Sequence, residues 1–350
     1  MWVSTSPRTR GGIATYVRSV QETPLWSEWS VRHVATHQDG SLAQRVLRFG
    51  CGATSFVAHL VLWRPGVVHL HSASSGSFAR KSMLAWFSRA CSVPVVLHIH
   101  GGGFGDFHDR SPAPVRRYIR ATLGGVGAVI ALGPTWAERL LEIAPDARVI
   151  VVPNAVSPQP RRRCRSKHDE LVVLFLGRVS EDKGIPLLLE AWANVTNDLP
   201  EGTSARLLVA GDGEVERFVR LAAERRVATT VDFLGWVPTE RVEELLERAD
   251  VLVLPSRWEG HPMAILEAMA HGIPVVATAV GGVPDLVDHR SGILIGPDDV
   301  EGLMCALVQV LSNPQLRDEL GAGGLQRVRD DFDIERTWRV LDELYDELAQ

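Results

Sequence analysis

The amino-acid sequence predicts an α/β protein made of two Rossmann-like, doubly wound domains with parallel sheets. Short β-rich runs alternate with helix-length segments from end to end, a rhythm typical of βαβ units with right-handed crossovers. Many of these runs are continuous apolar stretches, as expected of parallel strands that are covered on both faces. The chain has 350 residues, of which 45% are hydrophobic, so it is long and apolar enough for two packed cores.

The predicted strands fall into two groups along the chain. A short run, "MWVSTS", opens the first group, and helix-like segments such as 238–249 fit between the later strands. The further strand candidates are 31–36, 66–72, 94–101, 127–133 and 148–154 in the first group, and 171–177, 205–211, 231–236, 250–256, 273–279 and 291–296 in the second.

The alternation breaks once, at residues 157–169, which are rich in proline, arginine and other polar residues. Such a stretch is typical of a linker, and we assign 1–156 to an N-terminal domain and 170–331 to a C-terminal domain. Residues 332–350 have the pattern of an amphipathic helix. We expect this helix to pack back on the N-terminal domain through Trp338, Leu341, Leu344 and Leu348.

The charge is divided unevenly along the chain. Residues 1–160 contain 16 Lys and Arg against 8 Asp and Glu, a net charge of +8, whereas residues 161–350 carry −13. A basic first half indicates an anionic partner. The four cysteines lie far apart without a CxxC pair, and no apolar run reaches the ~20 residues of a spanning helix. These features predict a cytoplasmic protein with reduced thiols and disfavour a disulfide framework or a zinc site.

Two stretches of the N-terminal domain mix basic with apolar and aromatic residues. They are "FARKSMLAWFSRA" at 78–90 and "VRRYIR" at 115–120. A helix of this composition can lie in the headgroup region of an anionic bilayer, so we expect loose peripheral contact with the inner membrane face. The alternative is that Trp86 and Phe87 belong to the core and that the arginines are solvated.

The most distinctive sequences follow predicted strands, and ligands in open α/β sheets bind beyond the carboxyl ends of the strands. Arg178 and Lys183 follow one strand, and a glycine-bracketed turn that begins at Gly211 follows the next. The other loops of this kind are "RGGIATYV" near the N-terminus, "HGGGF" at 100–104, "SRWEGHPMAILEAM" at 256–269 and "GGVPDLV" at 281–287. Six such loops suggest a ligand that spans both domains.

The helix predicted between Pro262 and Gly272 carries the clearest chemical signal, because proline suits a first turn and glycine suits a stop. The amides at its start, with the two cations named above, can receive the anionic oxygens of a diphosphate. A carboxylate beside phosphates is repelled. We therefore expect Glu267 to face a neutral diol such as a ribose, and Glu259 to face a second hydroxyl-rich group. A diphosphate flanked by two polyols is a nucleotide sugar.

Motifs in a recognisable order run along nearly the whole chain. The segment "EGHPMAILE" resembles the E-x7-E signature of the retaining glycosyltransferases of the GT-B fold, in the large family 4 group. The further matching motifs, in the family's order, are "GGIATYV", "HIHGGGF", "VPNAV", "GRVSEDKG", "VAGDGE", "FLGW" and "GGVPDLV". Each motif alone is weak, but the ordered set is specific. The resemblance implies the GT-B fold, in which the two domains face a central cleft.

The resemblance also implies a role for each matching residue. Arg178 and Lys183 resemble the pair that holds the donor diphosphate, and Glu267 resembles the acid that holds the ribose hydroxyls. Glu259 and His100 resemble residues beside the transferred sugar. The other positions implied at the donor are Gly12, Gly211, Gly235, Trp236, Gly260, His261, Pro262 and Met263. Two departures leave the donor's identity open, since family members often have an aromatic or aliphatic residue in place of His261 and a glutamate in place of Asp285.

The activity that the resemblance implies is a metal-independent hexosyltransferase that uses a UDP- or GDP-sugar, needs no cofactor and retains the anomeric configuration. Its acceptor would be a glycan or a lipid-linked sugar in polysaccharide or glycolipid synthesis. Two alternatives stay open: a nucleotide-sugar 2-epimerase of the same fold, and a non-catalytic nucleotide-sugar-binding subunit.

Two charged runs point to other ligands, but each has an ordinary explanation. The run "DDFD" at 330–333 looks like the metal motif of another glycosyltransferase fold, yet acids also favour helix starts. The basic run 161–165 is short enough to be part of a solvated linker. We therefore predict neither a metal site nor a nucleic-acid partner.

Overall fold

A computed structural model of the protein describes residues 1–7, 9–159 and 170–350. The chain divides into two compact units, one formed by Met1–Ala155 with Ile334–Gln350 and the other by Val156–Asp333. Most of the predicted linker, including Cys164 and the basic run 161–165, lies outside the described residues. Each unit contains a parallel sheet of six strands with helices, so the predicted pair of doubly wound α/β sheets is confirmed.

The first unit contains the strands β1–β6 and the helices α1–α7, and its sheet has the order β2-β1-β3-β4-β5-β6. Their bounds are β1 Trp2–Thr5, α1 Gly12–Gln21, α2 Pro24–Glu28, β2 His33–His37, α3 Leu42–Leu62, β3 Val68–Ser72, α4 Gly76–Ala90, β4 Val95–Ile99, α5 Phe104–Asp109, α6 Ala113–Gly125, β5 Ala128–Ala131, α7 Pro134–Ile143 and β6 Val149–Val151. The strand order reverses between β1 and β3, which is the switch point where such sheets bind ligands.

The second unit contains β7–β12 and α8–α14, and its sheet has the order β12-β11-β10-β7-β8-β9. Their bounds are β7 Leu171–Leu176, α8 Ile185–Asp198, β8 Ala205–Ala210, α9 Val215–Glu224, β9 Val231–Gly235, α10 Thr239–Arg248, β10 Val251–Leu254, α11 Met263–Ala270, β11 Val275–Thr278, α12 Val283–Leu286, β12 Gly292–Ile295, α13 Val300–Ser312 and α14 Pro314–Asp331. Here the switch point lies between β7 and β10. Most predicted strands extend one to three residues past the observed ends, into the loops that hold the polar motifs.

The last helix, α15 at Ile334–Ala349, belongs to the first unit. Its apolar face is buried, and Trp29 of the first unit donates a hydrogen bond from Nε1 to Asp342 Oδ1 at 2.7 Å. Arg148 after α7 pairs with Glu347 at 2.7 Å. The helix brings five acidic and two basic residues, so the first unit carries a net charge of +5 instead of the +8 of its N-terminal part.

Helix α4 corrects part of the predicted membrane surface. Lys81, which we had counted among its surface cations, is only 3% exposed and donates to Thr36 Oγ1 of β2. Trp86 and Phe87 are partly exposed, and Arg89 lies over the Trp86 ring at 4.5 Å. These aromatic residues are therefore at the surface, contrary to the alternative that placed them in the core. No helix in the described part of the chain has the length and apolar character needed to cross a bilayer.

Candidate functional site

An ion pair marks the switch point of the second sheet. Lys183, in the loop after β7, places Nζ 2.7 Å from Oε1 of Glu259, in the loop after β10. The same ammonium lies 3.4 Å from the carbonyl oxygen of Trp258. The Glu259 side chain is 9% exposed and that of Lys183 is 23% exposed, so the pair is partly shielded from water. The sequence placed these residues at different parts of a ligand and did not predict that they contact each other.

Glycine at two positions allows the loops at this edge to come so close. Gly184 has a φ of +74°, and a Cβ there would lie 1.9 Å from the carbonyl oxygen of Pro255. A Cβ at Gly211, whose φ is +154°, would lie 1.7 Å from the carbonyl oxygen of Gly177. A side chain at either position would push the loops apart. The glycines thus hold the β7, β8 and β10 ends close together, with Lys183 beside Glu259.

Arg178 differs from Lys183 in having no partner among the described residues. It follows β7 directly, its side chain is exposed, and among the described residues it forms no hydrogen bond or ion pair. A planar guanidinium in this state can receive two anionic oxygens at once. The edge therefore offers one cation that is already paired and one that is unpaired.

The loop before α11 forms the other wall of this edge. The backbone N–H of Gly282, in the turn before α12, donates to the carbonyl oxygen of Gly260 at 3.0 Å. This contact places the two glycine-containing turns side by side. Pro262 precedes the first helical residue, Met263, and Gly272 ends the segment with a φ of +66°. The predicted start and stop of this helix are therefore confirmed.

Glu267 and His261 of this motif lie in different surroundings. Glu267 lies on α11 and is partly buried. His261 is buried, and its ring meets Phe332 edge-on with 5.7 Å between the ring centroids. The His261 side chain is thus a packing group of this unit, so a contact with a ligand would come from its main chain.

The remaining residues predicted at the donor lie at the ends of β8 and β9. The backbone N–H of Gly211 donates to the carbonyl oxygen of Gly235 at 2.8 Å, which joins the ends of β8 and β9. Gly235 has a φ of +65°, and Trp236 next to it is 51% exposed. An exposed indole beside a left-handed turn provides a flat surface at the far end of the same sheet edge.

The first sheet carries His100 and Gly12 at its own carboxyl edge. His100 follows β4 and is partly exposed, and Gly12 is the exposed first residue of α1. Nε2 of His100 lies 2.8 Å from Nδ1 of His71 on β3. His98, which the two-residue strand period could not separate from His100, is fully buried and stacks on it at 4.0 Å between centroids. Of the two, His100 is therefore the residue that can meet a ligand.

Sequence reasoning missed the cluster of histidines behind His100. His69 and His71 on β3 face His98 and His100 on and after β4, between Tyr16 and Tyr345. The signal was available, since both adjacent strands repeat a histidine at every second position. Burial lowers the pKa of His69 and His71 well below the usual range and that of His100 to about 3. These rings are therefore neutral near pH 7.

Three of these histidines, His69, His71 and His98, each have a ring nitrogen within 4.8 Å of those of the other two. The His69 and His71 rings, however, are stacked with only 4° between their planes. A ligating nitrogen directs its lone pair in the plane of its ring, so a single ion cannot lie in both planes. The cluster in this arrangement is a stack of hydrogen-bonded rings and not a preformed metal site.

These features define the class of protein. Two doubly wound sheets with cations, acids and close glycine turns at the switch point of the second are the arrangement expected of a nucleotide-sugar-dependent α/β protein. The family model described as "Glycosyl transferases group 1" matches residues 157–327, and that described as "Glycosyl transferase 4-like domain" matches residues 11–155. The chain belongs to the group 1 glycosyltransferases.

Individual known proteins show how far the similarity extends. The chain is 32% identical over 308 residues to the D-inositol 3-phosphate glycosyltransferase of Acidothermus cellulolyticus, covering 79% of this chain and 66% of that protein. The chain spans 63% to 70% of the length of the first curated relatives it matches.

Two solved structures share the fold over nearly the entire chain. Sucrose-phosphate synthase from Thermosynechococcus elongatus superimposes with a TM-score of 0.82 at 20% identity, covering 99% of this chain and 98% of the other. Anabaena HepE in complex with UDP gives a TM-score of 0.76 at 17% identity, covering 99% of both chains. At these identities the similarity concerns the fold, and it agrees with the predicted GT-B class.

Proposed function

We propose that this protein transfers a sugar from a UDP- or GDP-sugar to an acceptor hydroxyl with retention of the anomeric configuration. The observation that carries the proposal is the edge of the second sheet, where Lys183 contacts Glu259 and Arg178 lies unpaired. Donor binding breaks the Lys183–Glu259 contact: the ammonium turns to the diphosphate, and the carboxylate accepts hydrogen bonds from the sugar hydroxyls. Glu267 accepts hydrogen bonds from the ribose.

The chemical step needs stabilisation of negative charge on the leaving diphosphate. As the bond between the anomeric carbon and the diphosphate breaks, Arg178, Lys183 and the first amides of α11 donate hydrogen bonds to the oxygens that gain charge. Two fixed cations can do what a divalent ion does in other transferases, so the reaction we propose needs no metal. The acceptor hydroxyl attacks from the face that the diphosphate leaves and passes its proton to the departing diphosphate oxygen, because no carboxylate is assigned as a covalent nucleophile.

His100 acts in this proposal as a neutral group. Burial lowers its pKa to about 3, so near pH 7 its ring exchanges hydrogen bonds with a sugar hydroxyl and brings no charge. The acceptor binds to the first unit and carries its hydroxyl on a glycan or a lipid-linked sugar. The exposed Met83, Trp86 and Phe87 of α4, with Arg89 beside them, would give the loose membrane contact that a lipid-linked acceptor requires.

A panel of nucleotide sugars tests the activity. We expect slow release of nucleoside diphosphate and free sugar from one donor without acceptor, and faster release once the acceptor is found. Conversion of the donor into its 2-epimer without release would instead establish the epimerase. Tight binding of a nucleotide sugar by calorimetry without either reaction would establish a non-catalytic subunit.

A further inference from the structure

A pocket lies at the carboxyl edge of the first sheet, apart from the residues discussed above. It has a volume of about 440 Å³ and is lined by Ser6, Thr9, Gln38, Asp39 and Arg48. These residues come from the loops after β1 and β2 and from α3. The sheet order places β3 between β1 and β4. The pocket at the end of β1 therefore lies two strands away from β4, which His100 follows. No residue of the donor site described above belongs to it.

Two side chains that line this pocket have hydrogen-bond donors without acceptors. Thr9 is 8% exposed, and its hydroxyl is buried without a hydrogen-bond partner among the residues that the structure describes. Nε of Arg48 is likewise buried, and no described residue bonds to it. Buried donors in folded proteins are nearly always satisfied, and leaving one unpaired costs about 1–3 kcal/mol. Two such donors on one pocket wall indicate a ligand that accepts hydrogen bonds.

A buried lysine contacts β2, the strand that leads into this pocket at Gln38. Lys81 of α4 donates to the hydroxyl of Thr36 on β2, and that hydroxyl donates in turn to the carbonyl oxygen of Ser4 on β1 at 3.2 Å. No carboxylate among the described residues forms an ion pair with Lys81. Burial, followed by the charge of Arg80, lowers the pKa of Lys81 to about 7. A buried ammonium is normally paired, so an anion nearby would favour the charged form of Lys81.

The wider surroundings of the pocket are also positive. Burial first, then Lys81 and Arg48, lowers the pKa of His33 to about 4. His37 has its pKa lowered by burial, Arg80, Arg45 and Lys81, and only Asp39 acts in the opposite direction.

Asp39 does not neutralise this charge. It is exposed, and its carboxylate accepts the backbone N–H of Arg10 at 3.0 Å, which fixes the loop after β1. Four cations, Arg45, Arg48, Arg80 and Lys81, therefore act on this region against one carboxylate.

We propose that this pocket binds a phosphate group carried by the acceptor. The inference rests on the proposed function, because it assigns the first unit's ligand as the acceptor. The Arg48 guanidinium provides paired donors that match phosphate oxygens, and the Thr9 hydroxyl provides a third. A phosphate, with up to two charges and three free oxygens, suits a pocket that Arg48 lines, with Arg45, Arg80 and Lys81 in the surroundings, better than a carboxylate does.

The phosphate can come from a soluble molecule or from a lipid. The first turns of α3, next to Arg48, expose the apolar side chains of Leu42, Val46 and Leu47. A lipid phosphate bound at Arg48 would place its chains near these residues, whereas a sugar phosphate would leave them in water.

Calorimetry on the full chain saturated with UDP tests the pocket while the nucleotide site is occupied. The probes are glucose 6-phosphate, glucuronic acid and glucose. We expect glucose 6-phosphate to bind. Arg48→Gln should lower its affinity roughly ten- to hundredfold, as for the loss of a charge-assisted hydrogen bond. Thr9→Val should weaken it by a few-fold. Arg220→Gln, which removes an exposed arginine of α9 in the other unit, is the matched control and should bind like the wild type.

Vesicles of phosphatidylcholine with and without phosphatidic acid form the lipid arm. Pelleting that requires phosphatidic acid and falls in Arg48→Gln, but not in Arg220→Gln, supports a lipid phosphate. The proposal is overturned if the three sugars bind equally and vesicles with and without phosphatidic acid pellet the protein equally. It is also overturned if Arg48→Gln binds glucose 6-phosphate as tightly as the wild type does. The two proposals can fail separately. If the protein releases UDP from a donor but does not bind the phosphate probe, only the pocket proposal is wrong. If it binds the phosphate probe through Arg48 but turns over no donor, only the transferase proposal is wrong.

Discussion

The two sheets present different chemistry at equivalent edges. In the second unit a cation and a carboxylate contact each other, with Lys183 2.7 Å from Glu259. In the first unit Lys81 is buried with no carboxylate of the described residues paired to it, and burial lowers the pKa of His69, His71 and His100 so that they are neutral near pH 7. The charges at the edge of the second sheet thus compensate each other, whereas the first sheet has cations without a paired carboxylate and buried neutral histidines.

This difference indicates two ways to prepare a site for an anion. The Lys183–Glu259 pair remains stable in the empty site and exchanges partners when a ligand brings both phosphates and hydroxyls. The first unit instead keeps its cations unpaired, at a cost in stability that only an anion can recover. The Lys183–Glu259 pair should give selectivity for a ligand that carries both phosphates and hydroxyls. The unpaired cations of the first unit should make anion binding there depend strongly on pH and salt.

Acid should therefore destabilise the first unit far more than the second. The pKa values of His33, His69, His71 and His100 are all lowered by burial. The unfolded chain takes up protons at histidine below about pH 6.5, whereas the folded unit takes them up only at lower pH. The unfolded state then binds more protons, so stability falls as the pH falls, from about 6.5 down to the folded-state values. Between pH 7 and 5 each fully buried histidine should cost roughly 1–2 kcal/mol.

The second unit provides the contrast within the same molecule. Burial acts to lower the pKa of His271, but Glu243 and the carbonyl of Glu267 outweigh it and the pKa is raised. Hydrogen exchange read by mass spectrometry at pH 7 and pH 5 resolves the two units. Faster exchange is expected at pH 5, relative to the intrinsic rate, in β3 and β4 but not in β10 and β11. His71→Gln should reduce the effect, and His289→Gln, at an exposed site, should not. Equal protection changes in both units would contradict the neutral-histidine assignment.

The next largest effect concerns the cations of the second edge. Replacing Lys183 or Arg178 by alanine should lower kcat/KM by about 2–4 kcal/mol of transition-state stabilisation, because each loses a charged hydrogen bond to the leaving diphosphate. Arg220→Ala, at an exposed position on α9 of the same unit, is the matched control and should retain activity. Circular dichroism should show an intact fold in all variants. Near-wild-type kcat/KM in both Lys183→Ala and Arg178→Ala would remove these residues from the mechanism.

The two acids should separate in their effect on UDP binding. Glu267→Gln should weaken UDP by roughly tenfold, since the ribose loses a charged acceptor. Glu259→Gln should leave the affinity for UDP unchanged or increase it, because it releases Lys183 from the 2.7 Å pair, while transfer is impaired. Calorimetry on both variants gives the comparison. Equal losses of UDP affinity would mean that the two carboxylates do not divide the ribose and the sugar between them.

Pattern alone could predict the architecture and the loops that follow the strands of the second sheet, because parallel strands and their loops are local in sequence. The order of glycine turns and acids placed Arg178, Lys183 and Glu267 at strand ends and in the first turns of a helix. It could not predict contacts that depend on which strands become neighbours. The Lys183–Glu259 pair joins residues 76 positions apart, and the buried Lys81 of α4 donates to Thr36 of β2, 45 positions away.

Chelation should have the smallest effect, and it tests whether fixed cations replace a metal at the second edge. Glu259 is already tied to Lys183, so a divalent ion there would have to displace an ammonium before binding that carboxylate. We expect nucleoside diphosphate release in EDTA to stay near the untreated rate. Complete loss that Mn²⁺ or Mg²⁺ restores would instead show that a metal carries the diphosphate charge. The same treatment probes His69, His71 and His98: a fall in thermal stability on chelation, reversed by Zn²⁺, would mean that these rings can leave their 4° stack to bind an ion.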